Sequence, residues 1–243
     1  MPRVFMLTSA AFAAPVLALA MPMLPPPGLP ASSFPKPDRP VAAIVSASWG
    51  DRSQRDKADE VRQLSERMGI KRGMTVANIG AGDGYDSLRL ASVVGPQGSV
   101  VAEDITRPYL DALARKAKAA NLRNIRLVRG EPHDPRLAPG SLDVAIMVHM
   151  YHEIQTPYAL LYNLAPAFKT GGLLGIEELD RSTARHGTPP ALLKCELTAV
   201  GYRLISTRPL QGDLGYFAVF AAPSPQARPD PRSIKACRAP MTL

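Results

Sequence analysis

The chain has 243 residues, 46% of them hydrophobic and 21% charged. These values suit one large folded domain and exclude a wholly disordered chain or a polytopic membrane protein. Net charge is +8, and residues 1–50 and 223–243 supply five of those charges. No dense Lys/Arg run with interleaved aromatics occurs, so no nucleic-acid partner is expected. Cys195 and Cys237 are the two cysteines. They lack metal-ligand spacing, which argues against a zinc module or a disulfide-framed scaffold, although a bridge between them is open to the chain in an oxidising compartment.

Residues 1–20 read as a signal peptide. Arg3 gives the positive start, residues 4–20 are largely apolar, and Ala18-Leu19-Ala20 offers the small-x-small cleavage pattern. Export to the periplasm or medium is therefore expected. Left uncleaved, the segment is a marginal membrane tether, and without signal activity the protein stays in the cytoplasm. Residues 21–40 hold eight prolines, so residues 21–44 read as an extended Pro-rich linker. Residues 45–222 read as the folded domain and residues 223–243 as a flexible Pro/Arg-rich tail.

Within the domain, residues 51–69 read as a helix, with Ala58, Val61, Leu64 and Met68 on one face and Gly69 as its stop. Strands are predicted over 74–79, 99–104, 125–128, 142–148 and 172–177. Helices are predicted over 87–94, 108–120, 156–168 and 188–200, and residues 202–206 and 216–221 form a late hairpin-like pair. This alternation predicts an α/β fold with a parallel sheet and helices on both faces. Ligands of such sheets sit beyond the carboxyl ends of the strands.

The turn after the first strand reads Gly80-Ala81-Gly82-Asp83-Gly84. Glycine at alternate positions lets bare main chain approach a bound group. The following helix aims its N-terminal N–H groups at the same place. Asp104 falls twenty residues beyond Gly84, at the end of the second strand, where a carboxylate can accept from both hydroxyls of a ribose. A dinucleotide fingerprint needs its third glycine one residue later, where Tyr85 stands, and the Walker lysine is absent.

The runs "VANIGAGDGYDSLRLA" (76–91), "GSVVAEDI" (98–105), "GSLDVAIMVHMYHEI" (140–154) and "FKTGGLLGIEE" (168–178) together resemble the class I S-adenosylmethionine-dependent methyltransferases. The resemblance covers residues 50–221 and does not specify the methyl acceptor. It implies a Rossmann-like, doubly wound, seven-stranded sheet, mostly parallel with the last strand antiparallel. It also implies S-adenosylmethionine as cofactor. Gly80, Gly82 and Gly84 would line its methionine and adenosine moieties, Asp104 would hold the ribose, and Glu131 would contact adenine, with Asp134 as rival. Asn78 stands where an acid is usual, which lowers the charge available to the cofactor and leaves room for a protein that binds without catalysing.

Methyl transfer is an in-line displacement, so alignment is the main requirement, with a base where the acceptor carries a proton. His149, Tyr151, His152 and Glu153 follow the fourth strand. His152 is the first candidate base, since histidine titrates near neutral pH, and Glu153 is the second, or an orienter of His152. "HEIQT" lacks the second histidine of a zinc-protease helix, so no metal is expected. Glu177 and Glu178 end the fifth strand and read as solvated, with one pointing to the cleft edge as the alternative; Trp49, Asp51 and Arg52 could cover the cofactor, but packing of the lone tryptophan against the domain is the favoured reading. The expected activity is transfer of a methyl group to a small molecule. A non-catalytic binding protein of the same fold, and an NAD-dependent oxidoreductase, are the alternatives.

Overall fold

The computed structural model describes residues 25–47 and 49–238; the expected signal peptide lies outside them. Two short helices, α1 (Arg52–Lys57) and α2 (Glu60–Met68), precede the sheet. The sequence predicts one helix here. The structure breaks it at Asp59, whose φ is 52°, a left-handed conformation that Asp tolerates better than most residues. The break folds Arg55 back onto Glu60, at 2.7 Å through Nε, with Asp86 at 3.1 Å.

The remaining elements alternate. They are β1 (Thr75–Ile79), α3 (Tyr85–Val94), β2 (Ser99–Asp104), α4 (Arg107–Ala119), β3 (Ile125–Arg129), β4 (Leu142–Val148), α5 (Pro157–Leu164), β5 (Phe168–Glu178), α6 (Pro190–Ala199), β6 (Arg203–Pro209) and β7 (Tyr216–Ala221). The seven strands lie in the order β3-β2-β1-β4-β5-β7-β6. Strands β1 to β5 pair in parallel, and β7 runs antiparallel between β5 and β6.

Both faces of the sheet are covered, so its central strands are continuously apolar. On β4, Val144, Ile146 and Val148 face α2 and α3, while Ala145 and Met147 face α5 and α6. Leu160, Leu161, Leu164, Leu193 and Leu197 complete the second layer. The order reverses between β1 and β4, and this switch point opens a crevice at their carboxyl ends.

Two sequence expectations are corrected at the ends of the chain. The Pro-rich stretch is packed on the domain. Phe34 is buried with its ring 5.1 Å from that of Tyr162, and Arg39 is buried against Glu196 of α6 at 3.0 Å. The tail is packed as well. Ile234 and Cys237 are buried, Cys237 is disulfide-bonded to Cys195 of α6, and its N–H donates to Tyr158 Oη at 2.7 Å. Arg238 meets Asp38 at 3.4 Å, so the two ends lie side by side. Proline keeps such segments out of helix and central sheet. It does not stop an extended chain from setting single side chains into grooves between helices. No helix of the described residues is long and apolar enough to cross a membrane.

Candidate active site

The crevice is a cleft of about 450 Å³, within the size range of small-molecule sites. Its floor is the ends of β1, β2 and β4, contributing Ile79, Glu103, Asp104 and Val148. Residues 41–47 pass over it as a strap. At one end Ala42 N–H donates to His152 O (3.1 Å), and at the other Asp83 N–H donates to Ala47 O (2.9 Å). Trp49 stacks on His149, with the Arg55 guanidinium 5.4 Å from its ring centroid. Trp49 thus both packs on the domain and lines the cleft. Asp51 instead caps α1 by accepting from Ser53 N–H (2.8 Å), and Arg52 pairs with Asp83.

The glycine turn is built for close approach. Gly82 has a φ of 55°, and a Cβ there would overlap the carbonyl oxygen of Ala47. Only glycine admits the strap at this distance. Gly80 and Gly82 line the cleft. Gly84 does not: with φ at 92°, its missing Cβ makes room for Leu113 of α4. Asn78 is also displaced from its expected role. It is buried, and its amide donates to Ser87 Oγ at 3.0 Å, fastening β1 to α3.

Asp104 lines the cleft, and its carboxylate accepts from Gly82 N–H (2.8 Å) and Thr106 N–H (2.7 Å). A carboxylate has about four acceptor positions, so two main-chain bonds fix its orientation and leave lone pairs for a diol. Glu131 lines the cleft, whereas Asp134, its rival, is buried and accepts from Gly28 N–H (2.7 Å) and Arg136 N–H (2.9 Å). The floor thus offers the glycine turn, the Asp104 carboxylate and the Glu131 carboxylate.

Beside Asp104, Glu103 is buried, and its carboxylate reaches Gly80 N–H at 3.4 Å. Burial and the neighbouring Asp104 charge push its pKa up to about 8. In the unfolded chain it ionises near 4.5, so between these values the folded state holds a proton that the unfolded state has released. Stability contributed here is complete below about 4.5 and is lost as pH rises towards 8. Glu103→Gln is expected to flatten that decline in melting temperature between pH 5 and pH 8. Parallel profiles for the two proteins would show that Glu103 does not carry it.

On the other wall, His152 and Glu153 follow β4 in a 3₁₀ turn, Tyr151–Glu153. Glu177 and Glu178 are fully buried, against the sequence expectation of a solvated strand end. Successive strand residues point to opposite faces, so each finds its own histidine. Glu177 Oε1 meets His149 Nε2 at 3.1 Å, and Glu178 meets His152 Nδ1 at 2.8 and 3.0 Å. Burial pushes Glu177 well above, and His149 well below, its usual range, which disfavours the charged form of each. The bond to Glu178 puts a hydrogen on His152 Nδ1, and in the neutral tautomer Nε2 carries the lone pair. Glu153 lies 3.9 Å from that nitrogen. Burial, against the favourable His152 and with Glu178 and Asp104 nearby, raises its carboxyl to about 7. The dyad is half visible in the sequence: paired acids after an apolar strand are a signal, but their register with the histidines is not.

Residues 76–172 match the family model of a methyltransferase domain. A demethylmenaquinone methyltransferase of Staphylococcus aureus (strain JH9) is 23% identical over 122 residues, which is 50% of this chain and 50% of that protein. The chain thus spans about half the length of the curated relatives it matches. A methyltransferase structure from Aquifex aeolicus, described as SAM-dependent, superposes with a TM-score of 0.59 at 23% identity, covering 72% of this chain and 98% of that one. A "possible exported protein" of Bordetella parapertussis superposes at 0.56 with 16% identity, covering 70% of this chain and 68% of its own. The sheet order and the glycine turn agree with the methyltransferase-domain match of residues 76–172 and with S-adenosylmethionine as cofactor. The cleft can take that cofactor: Gly80 and Gly82 line it, with the Met150 side chain against the first and Ala47 O against the second, and Asp104 has acceptor capacity to spare.

Proposed function

We propose that the chain binds S-adenosylmethionine across Gly80, Gly82, Asp104 and Glu131 and transfers its methyl group to a small apolar acceptor beside His152. One observation carries this reading. The carboxylate of Asp104 holds Gly82 N–H and still faces the cleft, so turn and ribose site are one preorganised unit. The bound sulfonium supplies an activated methyl group. His152 and Glu153 face the acceptor side, and Met150, Ile154 and Leu179 make that side apolar. The quinone named for the Staphylococcus relative belongs to this chemical class. An acceptor aligned there by His152 and Glu153 would take the methyl group that the bound sulfonium would supply. Where the acceptor carries a proton, His152 Nε2 is placed to take it, with Glu178 holding the ring and Glu153 adjacent.

Transfer of labelled methyl to a panel of quinols and phenols tests the reading. His152→Ala is expected to lower turnover by about 10²–10⁴ with cofactor affinity unchanged. Equal rates would leave His152 a packing residue, and cofactor binding without turnover on any acceptor would favour the non-catalytic alternative. We further propose that the protein works outside the cytoplasm. The leader-like residues 1–20 and the disulfide between Cys195 and Cys237 support this.

A further inference from the structure

We infer that His152, Glu153 and His186 hold one divalent transition-metal ion on the acceptor side of the cleft, so that the acceptor is one that binds metal through oxygen or sulfur. The ion site stands on geometry alone; the acceptor class rests on the methyltransferase reading above.

One ligand atom from each of the three residues lies within 4.8 Å of the others, and all three residues line the cleft. His152 Nε2 and Glu153 Oε1 are 3.9 Å apart, about half an ångström more than the roughly 3.4 Å that separates two ligands of one tetrahedral zinc. His152 is buried and its Nδ1 proton is given to the Glu178 carboxylate at 2.8 Å. That is the arrangement by which a carboxylate fixes the tautomer and direction of a ligating histidine. Glu153 and His186 are only partly buried and can turn the ångström that brings them onto one ion. The loop bearing His186 is held by Arg181, whose guanidinium donates to His186 O at 3.1 and 3.2 Å, and the ring meets that of His152 edge-on at 5.3 Å. The sequence hides the third ligand, which arrives from a loop beyond β5.

Two histidines and one glutamate leave a coordination position open, as catalytic zinc sites do. An acceptor O–H or S–H bound there gives up its proton to water. Its lone pair then forms the bond to the methyl carbon while the carbon–sulfur pair returns to sulfur, and the ion keeps its oxidation state. His152 is then a ligand, and the ion takes over the deprotonation that Nε2 performs in its absence.

The test is calorimetric titration of Zn²⁺ into the chelator-treated full chain. One ion per chain is expected, with affinity lowered at least about tenfold in His186→Ala and in Glu153→Gln. The visible spectrum of Co²⁺ bound to the wild type should likewise be lost in His186→Ala. S-adenosylhomocysteine binding, measured on the same samples, should be unchanged in His186→Ala, which shows that the variant is folded. Absence of stoichiometric Zn²⁺ binding, or equal affinity in both variants, overturns the site. Failure of the nucleoside to bind would instead count against the cofactor reading.

Discussion

Arg39→Met is expected to destabilise the protein by about 3–5 kcal/mol, the cost of stranding a buried charge. The partner left behind is Glu196, fully buried on α6, which otherwise accepts from Arg39 Nε at 3.0 and 3.2 Å and from Tyr151 Oη at 2.8 Å. The guanidinium also reaches the carbonyl oxygens of His152 and Tyr151 at 3.4 Å. Arg39 thus fixes both the root of the strap and the turn that carries the acceptor-side residues. Its loss should weaken cofactor binding as well as fold stability. Glu196→Leu in the same chain removes the stranded charge, and the double variant should recover most of the stability, since a buried pair replaced whole is often neutral. Chemical denaturation of the four proteins checks this as a double-mutant cycle. A single-variant loss below 1 kcal/mol would show that water reaches Glu196 and that the pair is not an anchor.

Reducing the disulfide is the second large effect. Cys195 and Cys237 are 42 residues apart, and closing a loop of that length stabilises by about 4 kcal/mol in the chain-entropy model. Cys195→Ser with Cys237→Ser, or the wild type in reductant, should melt lower by a matching amount. Cys195 adjoins Glu196, so the tail and the strap are both tied to α6 at consecutive positions. The losses from Arg39→Met and from reduction should therefore not add. An unchanged melting temperature in reductant would show that the tail's other contacts, Ile234 and the bond to Tyr158, hold it alone.

The parts of the molecule legible in its sequence are those where the signal is local. The alternation of apolar strands with helices foretells the sheet, and the glycine turn with Asp104 foretells the floor of the cleft. Gly84 and Asn78 fit the same motif but serve packing, because a motif records which residues recur and not which way each one faces. Helix α2 differs from expectation because Arg55 needs Asp59 to turn. The anchoring of Arg39, Ile234 and Cys237 depends on contacts far along the chain, such as Arg39 to Glu196, and proline content conceals it. Glu178 was legible as a strand end but not as the partner of His152, since that requires the register of β5 on β4, where Val148 pairs with Glu177.

The proposed seat of a nucleoside over Gly82, with its sugar on Asp104, is tested most directly by a thermal melt of the full chain with S-adenosylhomocysteine. At a ligand concentration one hundred times its dissociation constant, linkage predicts about 2.7 kcal/mol of added stability. That shift is expected for the wild type, with its loss in Asp104→Ala and no shift with NAD. A shift with NAD but not with S-adenosylhomocysteine, or a full shift in Asp104→Ala, would contradict the proposed seat.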